Sequence, residues 1–298
     1  MNITVGIFGD QEVAARLGKK GTINDIALYN HASSEGIFTF ACPNSEKIQP
    51  LLQVVNMIDV PVLVVRNFTK DIGEIIIALD AKGFDKGFII TELADTLSDF
   101  IKGTRLENFE IIDEKQLWPK LLDFKVERDE DFLLVPVDNY FNVKGIGTVV
   151  LGIVRSGKLV LHDKLLLEPL GREVIVKGIQ SNDKDIKEAP VGTRVGVNLR
   201  DVEAKEIKRG FVLCRSIEKT NEINIDFKKN KFFKQELKEG ISVLISVGLQ
   251  VVSCKVESAG DVLKLRSEQP IAFTKKDKFI IASQNDIMPR IIGSGSVL

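Results

Sequence analysis

The chain has 298 residues, of which 44% are hydrophobic and 28% are charged, an ordinary balance for a globular protein. This length predicts two or three domains. The 41 basic and 42 acidic residues give a net charge of -1, which excludes a protein that attracts polyanions over its whole surface. Any nucleic-acid site must therefore be a local patch.

The cysteines and the N-terminus indicate the compartment. Cys42, Cys214 and Cys254 include no CxxC pair, and the 2 histidines form no cluster beside them, so we expect reduced thiols and no metal site. Residues 1–7 lack the pattern of a signal peptide, and no apolar run approaches the roughly 18 residues of a membrane span. These patterns favour a cytoplasmic protein without a membrane partner.

The first part of the chain alternates short apolar strands with longer helices. Strands are predicted at residues 3–8, 25–30, 36–41, 60–65, 87–92 and 108–113. Helices are predicted at residues 11–20, 45–57, 70–81, 95–102 and 114–122, with Gly21 as the C-cap of the first. Strands of about five residues between helices of ten or more predict a parallel, doubly wound α/β sheet in a domain of residues 1–124.

A charged connector, residues 125–131, leads from this domain into a chain that is almost entirely strand. About eight short alternating strands between residues 132 and 215 predict a closed antiparallel β-barrel, in a domain of residues 131–217. The polar residues 217–224 predict a second linker. A second antiparallel β-barrel is predicted for residues 225–298, with strands at 240–246, 250–256, 262–265, 271–273, 278–283 and 290–297.

The start of the first barrel carries a specific pattern. Residues 141–152 read Phe-Asn-Val-Lys-Gly-Ile-Gly-Thr-Val-Val-Leu-Gly, and further blocks follow in order at 155–157, 163–165, 178–185, 189–196 and 207–213. These blocks resemble the second domain of translational GTPases, most closely the selenocysteine-specific elongation factors of archaea, with elongation factor Tu as the wider relative. Residues 247–250 and 290–295 are similar to the third domain of the same factors.

The resemblance implies that the first domain has the G-domain-like fold of a P-loop NTPase. The selenocysteine factors have an additional C-terminal domain, whereas this sequence ends at Leu298, directly after the second barrel. Recognition of a messenger-RNA hairpin is therefore not expected.

The residues at the expected phosphate loop do not match that chemistry. A phosphate loop requires Gly, four residues and then Gly-Lys-Ser/Thr, whereas the first strand is followed by Gly9, Asp10 and further polar residues including Glu12. Carboxylates thus stand where an anion would bind. A displaced phosphate loop at residues 18–22 is the weaker alternative. If Gly18 and Lys19 were the Gly-Lys of the motif, Val13 would occupy the position of its first glycine and Lys20 the position of its Ser or Thr.

Two further nucleotide motifs are also incomplete. The family's Asp-x-x-Gly and catalytic histidine have no aspartate match after the second strand, and His31 is interpreted as a solvated loop residue. The guanine-reading Asn-Lys-x-Asp is reduced to Asn67, and there is no room for a switch I segment. These losses predict a degenerate nucleotide site at Gly9, Asp10 and Asn67, without GTP, magnesium or catalytic residues.

The resemblance also implies an RNA surface, because the acceptor end of an aminoacyl-tRNA lies against the second domain in these families. By position, Gln180 would approach the terminal ribose, and Asn182 and Lys184 the phosphate or base. The alternative is that Asn182-Asp183 is only a hairpin turn with Lys184 as its solvated flank. Further basic candidates on the barrel are Lys144, Arg155, Arg194, Arg200 and Arg209.

The sequence therefore predicts an elongation-factor-like protein that has lost GTP binding and hydrolysis and binds tRNA or other RNA through its second domain. Two alternatives remain open: a functioning GTPase with a divergent loop, and a scaffold that holds a ribosomal or tRNA-modifying partner. DNA is not an expected partner.

Overall fold

The computed structural model describes residues 2–128, 130–285 and 288–298, and its first domain is a seven-stranded sheet with helices on both faces. The strands are β1 (Asn2–Phe8), β2 (Lys19–Ile23), β3 (Ile26–Ser33), β4 (Gly36–Pro43), β5 (Val60–Val65), β6 (Phe88–Thr91) and β7 (Glu110–Ile112). The helices are α1 (Gln11–Leu17), α2 (Ile48–Met57), α3 (Lys70–Lys82), α4 (Ala94–Ile101) and α5 (Glu114–Asp123). The apolar residues of α2, α3 and α4 pack on one face, and those of α1 and α5 on the other.

The sheet is mixed rather than fully parallel, which corrects one expectation. In the order β2-β3-β4-β1-β5-β6-β7, the strands from β4 to β7 run parallel, whereas β2 and β3 are antiparallel to their neighbours.

The predicted first helix was also too long. It ends at Leu17, and Gly18, not Gly21, is its C-cap, with the Gly18 N–H donating to Ala14 O at 3.0 Å. Gly21 lies within β2, where a Cβ would come to 2.8 Å from Asn30 Nδ2 and 3.0 Å from Leu28 O.

The second domain is a closed antiparallel barrel. Its strands are β8 (Leu134–Val143), β9 (Gly147–Ile153), β10 (Lys158–Val160), β11 (Lys164–Glu168), β12 (Arg172–Ser181), β13 (Lys184–Ile186), β14 (Glu188–Pro190), β15 (Arg194–Arg200) and β16 (Val212–Cys214). The main sheet runs β11-β16-β8-β9-β15-β12-β13, and a further pairing of β11 with β12 closes it. Alternate residues along β15 face the interior, as a barrel strand requires.

The third domain is a closed six-stranded barrel in the order β17-β20-β19-β18-β21-β22. Its strands are β17 (Glu218–Lys229), β18 (Ser242–Val247), β19 (Gln250–Ser258), β20 (Val262–Phe273), β21 (Lys278–Ser283) and β22 (Ile291–Val297). Two predictions were wrong here. Residues 217–224 are not a linker but mostly the first half of β17, and the strands predicted at 262–265 and 271–273 are parts of the continuous β20. The order of one α/β domain followed by two barrels is as predicted.

The three domains share a continuous apolar interface. The cluster that covers α2 and α3 also contains Ile153 of the second domain and five residues of the third, which are Leu244, Leu249, Ile280, Ala282 and Ile291. Polar contacts surround it, including Gln53 Nε2 to Leu249 O (2.9 Å) and Asn56 Nδ2 to Ser246 Oγ (2.9 Å). Both barrels therefore pack directly against the first domain.

Two expectations from composition concern the state of the cysteines and the absence of a membrane span. Cys42, Cys214 and Cys254 are free and buried, and burial raises the pKa of each thiol to about 12. Among the described residues, no helix is long and apolar enough to cross a membrane.

Candidate functional site

The turn between β1 and α1 is the position at which a phosphate loop would lie, and a carboxylate occupies it. Gly9 has φ +91°, and a Cβ there would lie 2.1 Å from Val64 O, so the turn requires glycine. Asp10 is the N-cap of α1, and its Oδ1 accepts a hydrogen bond from Glu12 N at 3.0 Å. The helix that follows has only seven residues. Its first turn is therefore capped by a side chain of the protein itself.

An ion-pair network continues from Asp10 across the end of the sheet. Arg66 Nε lies 3.4 Å from Asp10 Oδ2, and Arg66 Nη2 lies 3.0 Å from Glu114 Oε2. Arg16 Nη2 is 2.7 Å from Glu114 Oε1 and its Nη1 is 3.5 Å from Glu12 Oε2. The hydrogen bond to Glu114 raises the pKa of Arg16. Both arginines thus have carboxylate partners, and the five side chains together carry one net negative charge.

A cleft of about 430 Å³ opens beside this turn, between the first domain and the third. Besides the thiol of Cys42, its ionisable lining comprises four carboxylates and two cations. The carboxylates are Asp10, Glu46, Asp71 and Glu74, and the cations are Lys47 and Arg290. Among the described residues, no group of three or more His, Cys, Asp or Glu is placed to hold a metal ion. The cleft has a negative balance, which opposes the approach of a polyphosphate.

The position expected to read guanine lies after β5. Asn67 is the second residue after this strand, and it is exposed. Phe68 follows, with its ring stacked on Phe100 at 4.3 Å between centroids. Thr69 is the N-cap of α3, its Oγ1 accepting from Ile72 N at 3.2 Å, and Lys70 stands where the guanine-binding aspartate would be. An ammonium group donates hydrogen bonds only, so Lys70 cannot accept the N–H groups of guanine.

His31 is not the solvated loop residue that the sequence suggested. It lies on β3, its Nδ1 is 2.9 Å from Leu17 O, and its ring centroid is 4.5 Å from that of Trp118. The imidazole therefore packs between α1 and α5 in a structural position.

The first three RNA candidates lie together on the hairpin between β12 and β13. Asn182 and Asp183 form its two-residue turn with φ +49° and +60°, conformations that asparagine and aspartate tolerate well. Gln180 Nε2 donates to Asp185 Oδ1 at 2.8 Å, and Lys184 is exposed. A cleft of about 220 Å³ separates this hairpin from Asn30 and Ile37 of the first domain.

The remaining basic candidates fall into two groups. Two are exposed: Lys144 at the tip of the hairpin between β8 and β9, and Arg200 at the end of β15, where its Nε lies 3.2 Å from Oδ2 of the neighbouring Asp201. Three arginines are instead held by carboxylates: Arg155 Nη1 by Asp59 at 2.8 Å, Arg194 by both oxygens of Asp138 at 2.5 and 3.0 Å, and Arg209 Nη1 by Asp25 at 2.8 Å. Arg155 and Arg209 thereby tie the second domain to the first. Their charges are committed within the protein.

Sequence reasoning missed the ion pair that joins the first domain to the third. Glu74 of α3 is 2% exposed and accepts hydrogen bonds from Arg290 N at 2.7 Å and Arg290 Nε at 2.8 Å. A signal was present, because Glu74 interrupts the apolar run of α3 on the face that is buried. A carboxylate there requires a partner.

Comparisons with known proteins agree on one family. The family model of elongation factor Tu domain 2 matches residues 147–214. In an alignment of 306 positions the chain is 36% identical to the uncharacterized protein MJ0325 of Methanocaldococcus jannaschii, and the alignment covers 99% of each protein. Over 266 residues it is 30% identical to the selenocysteine-specific elongation factor of that organism, covering 84% of this chain and 53% of the factor.

A solved structure shows the same fold. The crystal structure of a bacterial selenocysteine-specific elongation factor matches with a TM-score of 0.84 at 20% identity, over 99% of this chain and 58% of that one. The first domain is thus G-domain-like and the barrels correspond to the two that follow it. The chain spans 53% of the length of the Methanocaldococcus jannaschii factor and 58% of the bacterial factor in the solved structure.

Proposed function

The chain belongs to the translation elongation factor family that includes the selenocysteine-specific factors, and we propose that it works in translation without binding or hydrolysing GTP. The observation that carries this proposal is the ion-pair network at the β1–α1 turn. Asp10 caps the helix at which the phosphates would bind, and Arg66 is engaged with Asp10 and Glu114. Phosphate binding requires free backbone N–H groups and positive charge at this place.

The guanine position supports the same proposal independently. Lys70 replaces the carboxylate that would accept two hydrogen bonds from guanine, and Thr69 is used as a helix cap. A nucleotide would thus find neither its phosphate partners nor its base partners in place.

Calorimetric titration with GTP and GDP in the presence of magnesium tests this proposal. We expect no heat of binding up to millimolar nucleotide and no release of phosphate from GTP. A known translational GTPase, titrated in the same buffer, is the positive control. Micromolar affinity that depends on magnesium would contradict the proposal and favour a functioning GTPase with a divergent loop.

The remaining activity is assigned to the second domain, where the chain contacts the acceptor end of tRNA or another RNA. The hairpin at Gln180, Asn182 and Lys184 is exposed and borders a cleft that is open toward the first domain. Lysine and amide side chains supply the phosphate and ribose contacts that such binding needs. Arg155, Arg194 and Arg209 are left out of this surface because carboxylates already hold them. A cytoplasmic site of action and a ribosomal partner follow from the same proposal.

Two variants test the acceptor-end surface. Lys184→Glu should weaken tRNA binding by about 1 kcal/mol, roughly fivefold in Kd, because it reverses one charge beside a phosphate. The matched control is Lys177→Glu, at an exposed lysine of the neighbouring strand β12, and this variant should bind like the parent. Gln180→Ala should weaken 3′-intact tRNA more than tRNA that lacks its terminal adenosine.

Melting temperatures of all three variants should stay close to that of the parent, because exposed side chains, charged or neutral, contribute little to stability. If Lys184→Glu and Gln180→Ala bind tRNA like the parent, or the parent binds none at low salt, the acceptor-end assignment is wrong. The protein would then be better described as a scaffold for a translation partner.

A further inference from the structure

Residues 227–234 form a basic and aromatic segment that the proposed function does not use. This segment reads Phe-Lys-Lys-Asn-Lys-Phe-Phe-Lys, with four lysines, three phenylalanines and no carboxylate. All four lysines are exposed, and within the described parts of the chain none of them pairs with a carboxylate. In a protein whose net charge is -1, this is a local concentration of positive charge.

Two of these lysines bind backbone carbonyls instead of carboxylates. Lys231 Nζ lies 3.3 Å from Lys102 O and 3.2 Å from Gly103 O, just after the end of α4, and Lys234 Nζ lies 3.1 Å from Lys231 O. A carbonyl orients an ammonium group but does not neutralise it. The positive charge is therefore fixed in place and remains available to an anion.

The segment borders a groove of about 720 Å³ between α3, α4 and the third domain. Two aromatic rings that line it are unusually open, with Phe100 49% and Phe232 39% exposed. Phe100 is fixed by its stack on Phe68, and Lys231 Nζ lies 4.9 Å from the ring centre of Phe232. Large apolar side chains gathered in one open groove are typical of a binding site.

The charge within the groove is also favourable to an anion. Lys70 lines it, and among the described lining residues the one carboxylate is Glu74, whose charge is balanced by Arg290. Flat aromatic surfaces beside lysines are the combination that single-stranded nucleic acids use, with bases stacked on rings and phosphates against cations. An acidic peptide would be better matched by guanidinium groups, which bind carboxylates in pairs of hydrogen bonds, and this segment contains no arginine.

We propose that this groove binds single-stranded RNA, with bases against Phe100 and Phe232 and phosphates against the lysines of residues 228–234. The site lies on the first and third domains, away from the hairpin assigned to the tRNA acceptor end. It does not depend on that assignment.

Fluorescence anisotropy with a short labelled oligouridine, measured on the full chain over a series of salt concentrations, tests the proposal. Lys229→Glu/Lys234→Glu should weaken binding at least tenfold at low salt and reduce the slope of log K against log salt by about 1.4, at roughly 0.7 for each phosphate that is no longer neutralised. Phe232→Ala should weaken binding between about fivefold and a hundredfold while leaving the salt slope unchanged, because stacking releases no counterions. Phe100→Ala should behave in the same way.

The matched control is Lys115→Glu/Lys125→Glu, which makes the same charge change at exposed residues in and just after α5. Because α5 packs on the opposite face of the sheet from α3 and α4, this variant should bind within about twofold of the parent. Circular dichroism spectra and melting curves establish that each variant is folded.

Three outcomes overturn the proposal. The first is that the parent does not bind oligouridine at low salt. The second is that the groove variants bind RNA like the parent while Lys184→Glu binds it more weakly, which would place the RNA on the second domain. The third is that poly-glutamate binds as tightly as the RNA and that Phe232→Ala leaves its affinity unchanged. The last result would identify an acidic protein as the ligand.

Discussion

The ion pair between Glu74 and Arg290 should be worth more to the folded protein than any other single charged contact between its first and third domains. Both side chains are nearly inaccessible, at 2% and 7% exposure, and Arg290 donates to Glu74 from its backbone N, its Nε and its Nη2. Arg290 Nη1 also donates to Glu46 O at 3.0 Å. Replacing Arg290 with methionine leaves a buried carboxylate with one backbone N–H donor. Loss of one member of a buried pair costs about 3–5 kcal/mol.

A double-mutant cycle separates the cost of the orphaned charge from the value of the pair. Arg290→Met and Glu74→Leu should each lower the free energy of unfolding by about 3–5 kcal/mol, whereas the double variant should recover most of the loss because no unpaired charge stays buried. Urea unfolding followed by the fluorescence of Trp118, the one tryptophan of the sequence, reports on the first domain. If Arg290→Met loses less than about 1 kcal/mol, or the double variant is no more stable than the single ones, the pair is not desolvated as the burial indicates.

Two other predictions concern pH and domain motion. Burial lowers the pKa of Lys82 to about 8, and its Nζ donates to Asn56 Oδ1 at 2.8 Å. The folded state then binds fewer protons than the unfolded state between pH 8 and about 10.5, so this group makes the unfolding free energy rise with pH across that window. In Lys82→Gln that rise should be smaller in urea titrations, and an identical pH profile would contradict the assignment. Small-angle scattering should give one curve with and without a GTP analogue, because a ligand with no differential affinity cannot shift a domain arrangement; two distinct curves would count against fixed domains.

The sequence was most informative where local pattern alone determines the structure. Apolar strands such as Val60–Val65 and helices such as Lys70–Lys82 were placed within a residue, because both are buried elements with clear periodicity. Lys19–Ile23 was missed because its residues are mostly polar, and its pairing with β3 is what makes it a strand. The start of Glu218–Lys229 was read as a linker although Ile223 and Ile225 alternate with polar residues, a signal that could have been used.

The contacts of the candidate site residues were harder to predict, because the residues that they contact are distant in sequence. Arg155, Arg194 and Arg209 read as free surface charges, but the carboxylates that hold them are 96, 56 and 184 residues away. No local pattern connects such pairs. The departures from the nucleotide motifs could be seen in the sequence. The ion-pair network at the same position could not, because it depends on Arg66, just after β5, and on Glu114, at the start of α5.

The cleft beside the β1–α1 turn connects the nucleotide position to the domain interface, since Asp10, Glu74 and Arg290 all line it. Phosphates that entered this cleft would seek cations, and Arg290 is the cation there that already holds two domains together. Recruiting Arg290 would leave Glu74 buried without its partner, at a cost of about 3–5 kcal/mol. That cost corresponds to a loss of affinity between about a hundredfold and several thousandfold. We therefore expect Glu74→Leu to be the substitution that most improves any residual nucleotide affinity. Failure of nucleotide to bind Glu74→Leu would mean that the barrier lies at Asp10 and Arg66 and at the guanine position of Lys70, rather than at this ion pair.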